Sequence, residues 1–193
     1  YHVGVVAKYA FEELLRIPVE VDVASEFRYR DPILNENTLM IIISQSGETA
    51  DTLAALREAK RAGCRVLSVV NVVGSTIATE SDDVLYTWAG PEISVASTKA
   101  YSTQLAVIYL LALYIGEQLG KFTQEQLSAY IAALEKLPEQ IDEMLKHKEN
   151  IQFFASKYFN ASDMYFIGRN VDYAASLEAS LKLKEISYIH SEA

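Results

Sequence analysis

Cysteine is almost missing from this chain of 193 residues: Cys64 stands alone, which excludes an internal disulfide and a cysteine-based metal site. Following Gly63 near the end of a helical run, it reads as a small, buried or half-buried residue. Long hydrophobic runs are missing too. The longest, Leu105 to Ile115, is 11 residues, well short of the ~20 needed to span a bilayer, and no signal peptide opens the chain. A soluble protein of a reducing, cytoplasmic compartment is expected. Positive charge is in deficit, with 17 Lys and Arg against 26 Asp and Glu and a net charge of −9, which argues against a nucleic-acid or anionic-membrane partner. An anionic ligand would therefore rest on backbone N–H groups, hydroxyls and a local Lys at most. His2, His147 and His190 lie far apart with no metal-ligand spacing, so no metal site is expected. Neither G-x-x-x-x-G-K-[ST] nor G-x-G-x-x-G follows any apolar run, which disfavours ATP and NAD as ligands, and no organic cofactor is expected. Trp88 and the 12 Tyr are scattered rather than interleaved with basic residues, as packing and rim groups are. No segment is of low complexity.

What is present is a globular composition, 50% hydrophobic, and one informative stretch. From Leu39 to Ala50 an apolar run breaks abruptly into Ser44, Gln45, Ser46, Gly47, Glu48 and Thr49, and a helix-forming run follows. A strand, a tight polar loop and a helix N-terminus make an anion cradle: hydroxyls donate, Gly lets the backbone come close, and the first free N–H groups of the helix point at the same spot. The plainer account is a helix cap, with Ser46 or Thr49 satisfying those N–H groups. With no nucleotide fingerprint, a small phosphorylated metabolite is the ligand class favoured.

Val19 to Val23 alternates apolar and polar residues with period two, as a half-buried strand does, whereas Leu39–Ile43 and Val66–Val70 are continuous apolar runs that fit central parallel strands. Between those two runs, Leu53, Leu56 and Ala59 recur at helical spacing from Thr49 to Ala62, and Gly63 stops the helix. The result is a βαβ unit whose loops after Ile43 and Val70 line a crevice. A short strand at 84–86, a loop at 90–98 and an apolar helix over 99–119, expected to be buried, follow. Residues 124–150 are charged and amphipathic, with Pro138 as a break or kink. A strand over Met164–Ile167 and a helix over 173–188 restart the βα pattern. This predicts an α/β three-layer sandwich with a parallel sheet: a first domain over 1–125, a helical linker over 126–154 and a truncated second domain over 155–193. The chain reads as a fragment, since Tyr1 stands first and the pattern is cut off at Ala193.

Two further groupings carry chemistry. Glu178, Lys182 and Glu185 are spaced i, i+4, i+7 on one stripe of the last helix; Glu185, read as the deepest and nearest to His190, is the better candidate base. A solvated Glu-Lys-Glu face is the bland account. Val95-Ala96-Ser97-Thr98-Lys99 runs into the long helix, where Ser97 or Thr98 would cap it or Ser97 would face the ligand of the serine loop. Asn71-Val72-Val73-Gly74-Ser75 fits a turn or a third crevice wall equally well.

The string Ser44-Gln45-Ser46-Gly47-Glu48-Thr49 resembles the signature of sugar isomerase (SIS) domains. Ala24-Ser25-Glu26-Phe27-Arg28-Tyr29-Arg30, Val95-Ala96-Ser97-Thr98-Lys99-Ala100 and Leu181-Lys182-Leu183-Lys184-Glu185-Ile186-Ser187-Tyr188-Ile189-His190 are similar to the isomerase half of the glucosamine-6-phosphate synthases, the glutamine:fructose-6-phosphate aminotransferase family. That resemblance implies that Ser44, Gln45, Ser46 and Thr49 hold the phosphate and neighbouring hydroxyls of a hexose phosphate, with Val95 and Ser97 closing the pocket. It implies that Glu185 moves a proton between C1 and C2 and that Lys182 sits beside the developing oxyanion or enolamine. The implied substrates are fructose 6-phosphate and, as product, glucosamine 6-phosphate; the implied partners are an upstream glutaminase domain and a second copy in a homodimer. A fructosamine-phosphate deglycase and a non-catalytic SIS sensor of amino sugar phosphates are the rival readings. The family pattern before Leu181 is Glu-Gly and a small residue, where this chain has Glu178-Ala179-Ser180. The family's Cys-Gly-Thr-Ser loop would precede Tyr1, and its ring-opening His and Schiff-base Lys would follow Ala193.

Overall fold

Both continuous apolar runs become strands. In the computed structural model, which describes all residues from Tyr1 to Ala193, β1 is Leu39–Ser44 and β2 is Arg65–Val70, with β3 at Asp83–Tyr86. They form a parallel sheet in the order β1-β2-β3, with Ser44 opposite Val70 and Val70 opposite Tyr86. The central place of β2 explains its composition: Val66 and Val70 face one side, Val69 the other, and all three are fully buried.

Three helices precede or accompany this sheet: α1 (His2–Leu15), α2 (Ala24–Phe27) and α3 (Ala50–Arg61). The helix α4 (Thr76–Glu80) follows β2. On one face of the sheet Ile42, Val66 and Val70 pack with Leu56 and Ala59 of α3 and Ile77 and Ala78 of α4, and Cys64 joins this core as expected of it. Fully burying Leu56 or Ile77 contributes about 2 kcal/mol each. The predicted stop of α3 is present, with Gly63 at φ 81°.

Two expectations fail, one in the segment after α1 and one in the long apolar helix. Val19 to Val23 is not a strand. Val19 donates its N–H to the Glu12 carboxylate of α1 at 3.2 Å and Val21 lies against Gly4, so the alternation marks extended chain lying on a helix, with no neighbouring strand to pair with. The long helix is present as α5 (Lys99–Gln118), with Ile108 and Ala112 fully buried, but Leu110 and Tyr114 are 52% and 62% exposed. An apolar pattern all round a helix states that several sides can be covered, and in this chain one side of α5 is not.

The chain divides into two compact units, Tyr1–Leu110 and Leu111–Ala193. In the second, α6 (Gln124–Glu135) opens on a capping box in which Thr123 and Gln126 exchange side-chain to backbone hydrogen bonds of 3.2 and 2.9 Å. The break at Pro138 falls in the first turn of α7 (Leu137–Leu145), after which come α8 (Lys148–Tyr158), β4 (Asp163–Tyr165), α9 (Val171–Ser187) and β5 (His190–Glu192). The sequence pattern did not show β5, a three-residue strand parallel to β4; the expected fourth strand is also shorter, ending at Tyr165 and leaving Ile167 exposed. Ser180, where the family pattern has a small residue, is buried and shares a 3.0 Å hydrogen bond with Ser191 of β5.

Ser68, fully buried at the middle of β2, has no hydrogen-bond partner for its hydroxyl. An unpartnered buried hydroxyl costs more than an apolar group of the same size. Urea unfolding of Ser68→Ala is expected to show stability unchanged or raised by up to about 1 kcal/mol; a loss above about 1 kcal/mol would reveal that the hydroxyl is bonded.

Candidate functional site

Parallel pairing brings the carboxyl ends of β1, β2 and β3 to one edge, so the segments 45–49, 71–75 and 87–98 leave from the same side of the sheet. Backbone and Asn71 join them. Asn71 donates its N–H to the Gln45 carbonyl at 3.1 Å, while its side-chain oxygen accepts from Thr87 Oγ1 at 3.1 Å and Ala89 N at 2.8 Å, and its amide nitrogen donates to Gly90 O at 2.8 Å. Asn71 thus ties the segment after β2 to the segments on either side of it. Trp88, at φ 54° and exposed, tilts its ring against Tyr86 at 5.8 Å and is a rim residue.

Within the first segment, Ser44 is buried and its Oγ accepts from Gly47 N at 3.1 Å, while Ser46 Oγ accepts from Glu48 N at 3.2 Å. Each serine spends an acceptor position on the loop and keeps its own O–H to donate. Thr49 is the N-cap residue of α3, yet its side chain makes no capping bond. The plain-cap account therefore does not describe this loop: the hydroxyls shape the loop itself, and the first-turn N–H groups of Ala50, Asp51 and Thr52 have no side-chain cap. Gly47 is at φ 69°, and a Cβ there would come within 2.6 Å of Ser75 Cβ, so only glycine permits this close approach.

Asp51 in the first turn of α3 would repel an anion, but Arg28 donates to its carboxylate at 2.7 Å, an interaction that also raises the Arg28 pKa. Glu48, the other nearby carboxylate, accepts from Thr76 N and Thr76 Oγ1, each at 2.7 Å. Those two bonds hold Glu48 below the ordinary carboxylate range, so the contact is intact at neutral pH and is lost only as acidification protonates it. Neither Arg28 nor Glu48 was singled out by sequence reasoning. Both lie inside motif strings, but their partners Asp51 and Thr76 are 23 and 28 residues away, and no spacing rule reaches that far.

Val95 lies in the third segment and is 93% exposed. Ser97 is engaged: its Oγ accepts from Ala100 N at 3.3 Å, the expected cap, and donates in a short hydrogen bond to Glu92, which lowers the Glu92 pKa. For Ser97 to serve a ligand it would exchange that donor bond.

In the second unit, α9 carries Glu178, Lys182 and Glu185 on one stripe as the spacing required. Lys182 Nζ lies 3.5 Å from Glu178 and 2.5 Å from Glu185. Partial burial works against the ammonium, but the hydrogen bond to Glu185 and the charges of both carboxylates outweigh it, so the Lys182 pKa is raised and it stays a cation. The sequence reading made Glu185 the deepest carboxylate, whereas its side chain keeps 28% of its surface and that of Glu178 only 14%. His190 turns away to Asp163, its Nδ1 3.0 Å from the carboxylate, because β5 pairs residue 190 with 163.

A parallel sheet whose first strand runs into a hydroxyl-rich loop and a helix N-terminus has the geometry of an anion cradle, and the family model "SIS domain" matches residues 1–114. The chain belongs to the SIS-domain family. It is similar over its whole length to the glutamine–fructose-6-phosphate aminotransferases (isomerizing) of Caldanaerobacter subterraneus subsp. tengcongensis, 61% identical over 193 residues, and Methanosarcina mazei, 47% over 192. The chain spans about a third of the length of these relatives, 32% and 31%. Among solved structures, the C-terminal domain of glucosamine-fructose-6-phosphate aminotransferase from Francisella tularensis is 39% identical and superposes with a TM-score of 0.97, covering 100% of this chain and 55% of that one.

Proposed function

We propose that this chain is the isomerase part of an enzyme that makes glucosamine 6-phosphate from fructose 6-phosphate and glutamine-derived ammonia. The observation that carries the reading is the α3 N-terminus, uncapped by side chains beneath Ser44, Ser46 and Thr49 in a chain of net charge −9. Such a site binds a phosphate through oriented N–H and O–H groups without needing a basic surface. In this reading Ser44, Gln45, Ser46 and Thr49 hold the phosphate end of the sugar, and Val95 and Ser97 close over it. Ammonia condenses with the C2 carbonyl of the open-chain ketose and water leaves. Glu185 then takes a proton from C1 of the protonated imine; the resulting enolamine is reprotonated at C2 as the C1 hydroxyl gives up its proton, leaving the aldehyde at C1 and the amine at C2. Lys182, kept cationic by its two carboxylates, stabilises the charge that develops on oxygen or nitrogen between those steps.

The aminotransferase relatives favour this reading over a deglycase or a non-catalytic sensor. Residues 1–125 would form a first SIS domain and 155–193 the start of a second, joined by 126–154. The relatives' additional length accommodates a glutaminase domain, and a homodimer is the assembly we expect.

Titration of glucose 6-phosphate by calorimetry tests the binding half. Ser46→Ala combined with Thr49→Ala should weaken binding by about 2 to 4 kcal/mol, the loss of two hydrogen bonds to a charged group; equal affinity would rule the cradle out. Glu185→Gln tests the chemical half, in a polypeptide that joins this chain to the segments its relatives carry beyond it. Turnover to the aldose product should fall at least about 100-fold with glutamine hydrolysis and sugar-phosphate affinity kept, while Glu178→Gln costs less. Near wild-type turnover in Glu185→Gln would leave the stripe a surface ion-pair face.

A further inference from the structure

Glu48 presents a contradiction if the segment 44–49 holds a phosphate: a carboxylate adjoins an anion site in a chain already rich in acid. Its contacts resolve it. Both carboxylate oxygens are used, one accepting the Thr76 N–H and the other the Thr76 hydroxyl, each at 2.7 Å. The residue is also held at its own N–H by Ser46 Oγ at 3.2 Å. Immediately before it, the Gly47 carbonyl accepts from Ile77 N at 3.0 Å, and the Cβ-free face of Gly47 lies against the buried Ser75, whose hydroxyl has no hydrogen-bond partner. Two consecutive loop residues are thus fastened to residues 75–77 by three hydrogen bonds and one close contact.

We propose that Glu48 is a positioning residue for the phosphate cradle, acting through Thr76 to hold the Ser44–Thr49 loop in its binding geometry rather than touching the ligand. The proposal rests on the sugar-phosphate reading of the site given above. Its consequence is a sign that charge alone does not give. Removing a carboxylate beside an anion site relieves repulsion and should tighten anion binding. If Glu48 positions the loop, its removal loosens the donors, and binding weakens despite the more favourable charge.

The test is calorimetric titration of glucose 6-phosphate into the protein and three variants, with thermal unfolding followed alongside. Glu48→Ala should weaken binding about 10-fold, the loss of a charge-assisted pair of hydrogen bonds. Glu48→Gln should return affinity to within about threefold of wild type, because an amide preserves both contacts: its oxygen accepts the Thr76 N–H and its nitrogen donates to Thr76 Oγ1. Thr76→Val, which keeps the N–H and removes one bond, should fall between at about threefold, and it carries the test if Glu48→Ala does not fold. Wild-type or tighter binding by Glu48→Ala, Gln as poor as Ala, or no effect of Thr76→Val would each overturn the proposal. No saturable binding by the wild type would instead overturn the cradle reading, and this inference with it.

Discussion

The parallel register of β1, β2 and β3 is the constraint on which the rest of the first unit depends. Pairing Ser44 with Val70 and Val70 with Tyr86 places three strand ends side by side, so three loops far apart in sequence must share one edge. That edge is stable because β2 is covered on both faces and its neighbours clamp α3 and α4 on one of them. Once the strand ends are fixed, Asn71 can bond to Gln45 on one side and to Thr87, Ala89 and Gly90 on the other, and Gly47 can close against Ser75. A one-residue slip of β1 would break the Asn71 to Gln45 bond and turn the Ser44 side chain to the other face of the sheet.

The electrostatics follow one pattern at both groupings. Acidic side chains close to where an anion or developing negative charge would sit are each tied to a donor: Asp51 to Arg28, Glu48 to Thr76, Glu92 to Ser97, and Glu178 and Glu185 to Lys182. An excess of acid over the whole chain is thereby compatible with local sites that attract anions, since uncapped N–H groups and hydroxyls act over a few ångströms while the distant net charge is screened.

Much of this was legible in the sequence because it is local. Continuous apolar runs gave β1 and β2, helical spacing and Gly63 gave α3, Pro138 gave the start of α7, and the Ser44–Thr49 loop declared itself by the density of its hydroxyls. What escaped depends on partners. The alternation at Val19–Val23 is as consistent with chain lying on α1 as with a strand, and only the absence of a neighbour decides. The three-residue β5 is too short for a periodic signal and exists because β4 is beside it. The same holds at the site, where Glu48 and Arg28 acquire their meaning from Thr76 and Asp51, and where adjacency in sequence suggested a His190–Glu185 relation that the pairing of β4 with β5 removes.

The central claim is that an acidic chain holds a phosphate with the backbone N–H groups and hydroxyls between Ser44 and Thr52. Amide chemical-shift mapping with inorganic phosphate as the probe measures this residue by residue. Saturable shifts confined to the N–H groups of residues 45 to 52 and their contact at 75–77 are the predicted result. Saturable shifts centred on any other part of the chain, or none at the first turn of α3, would contradict it.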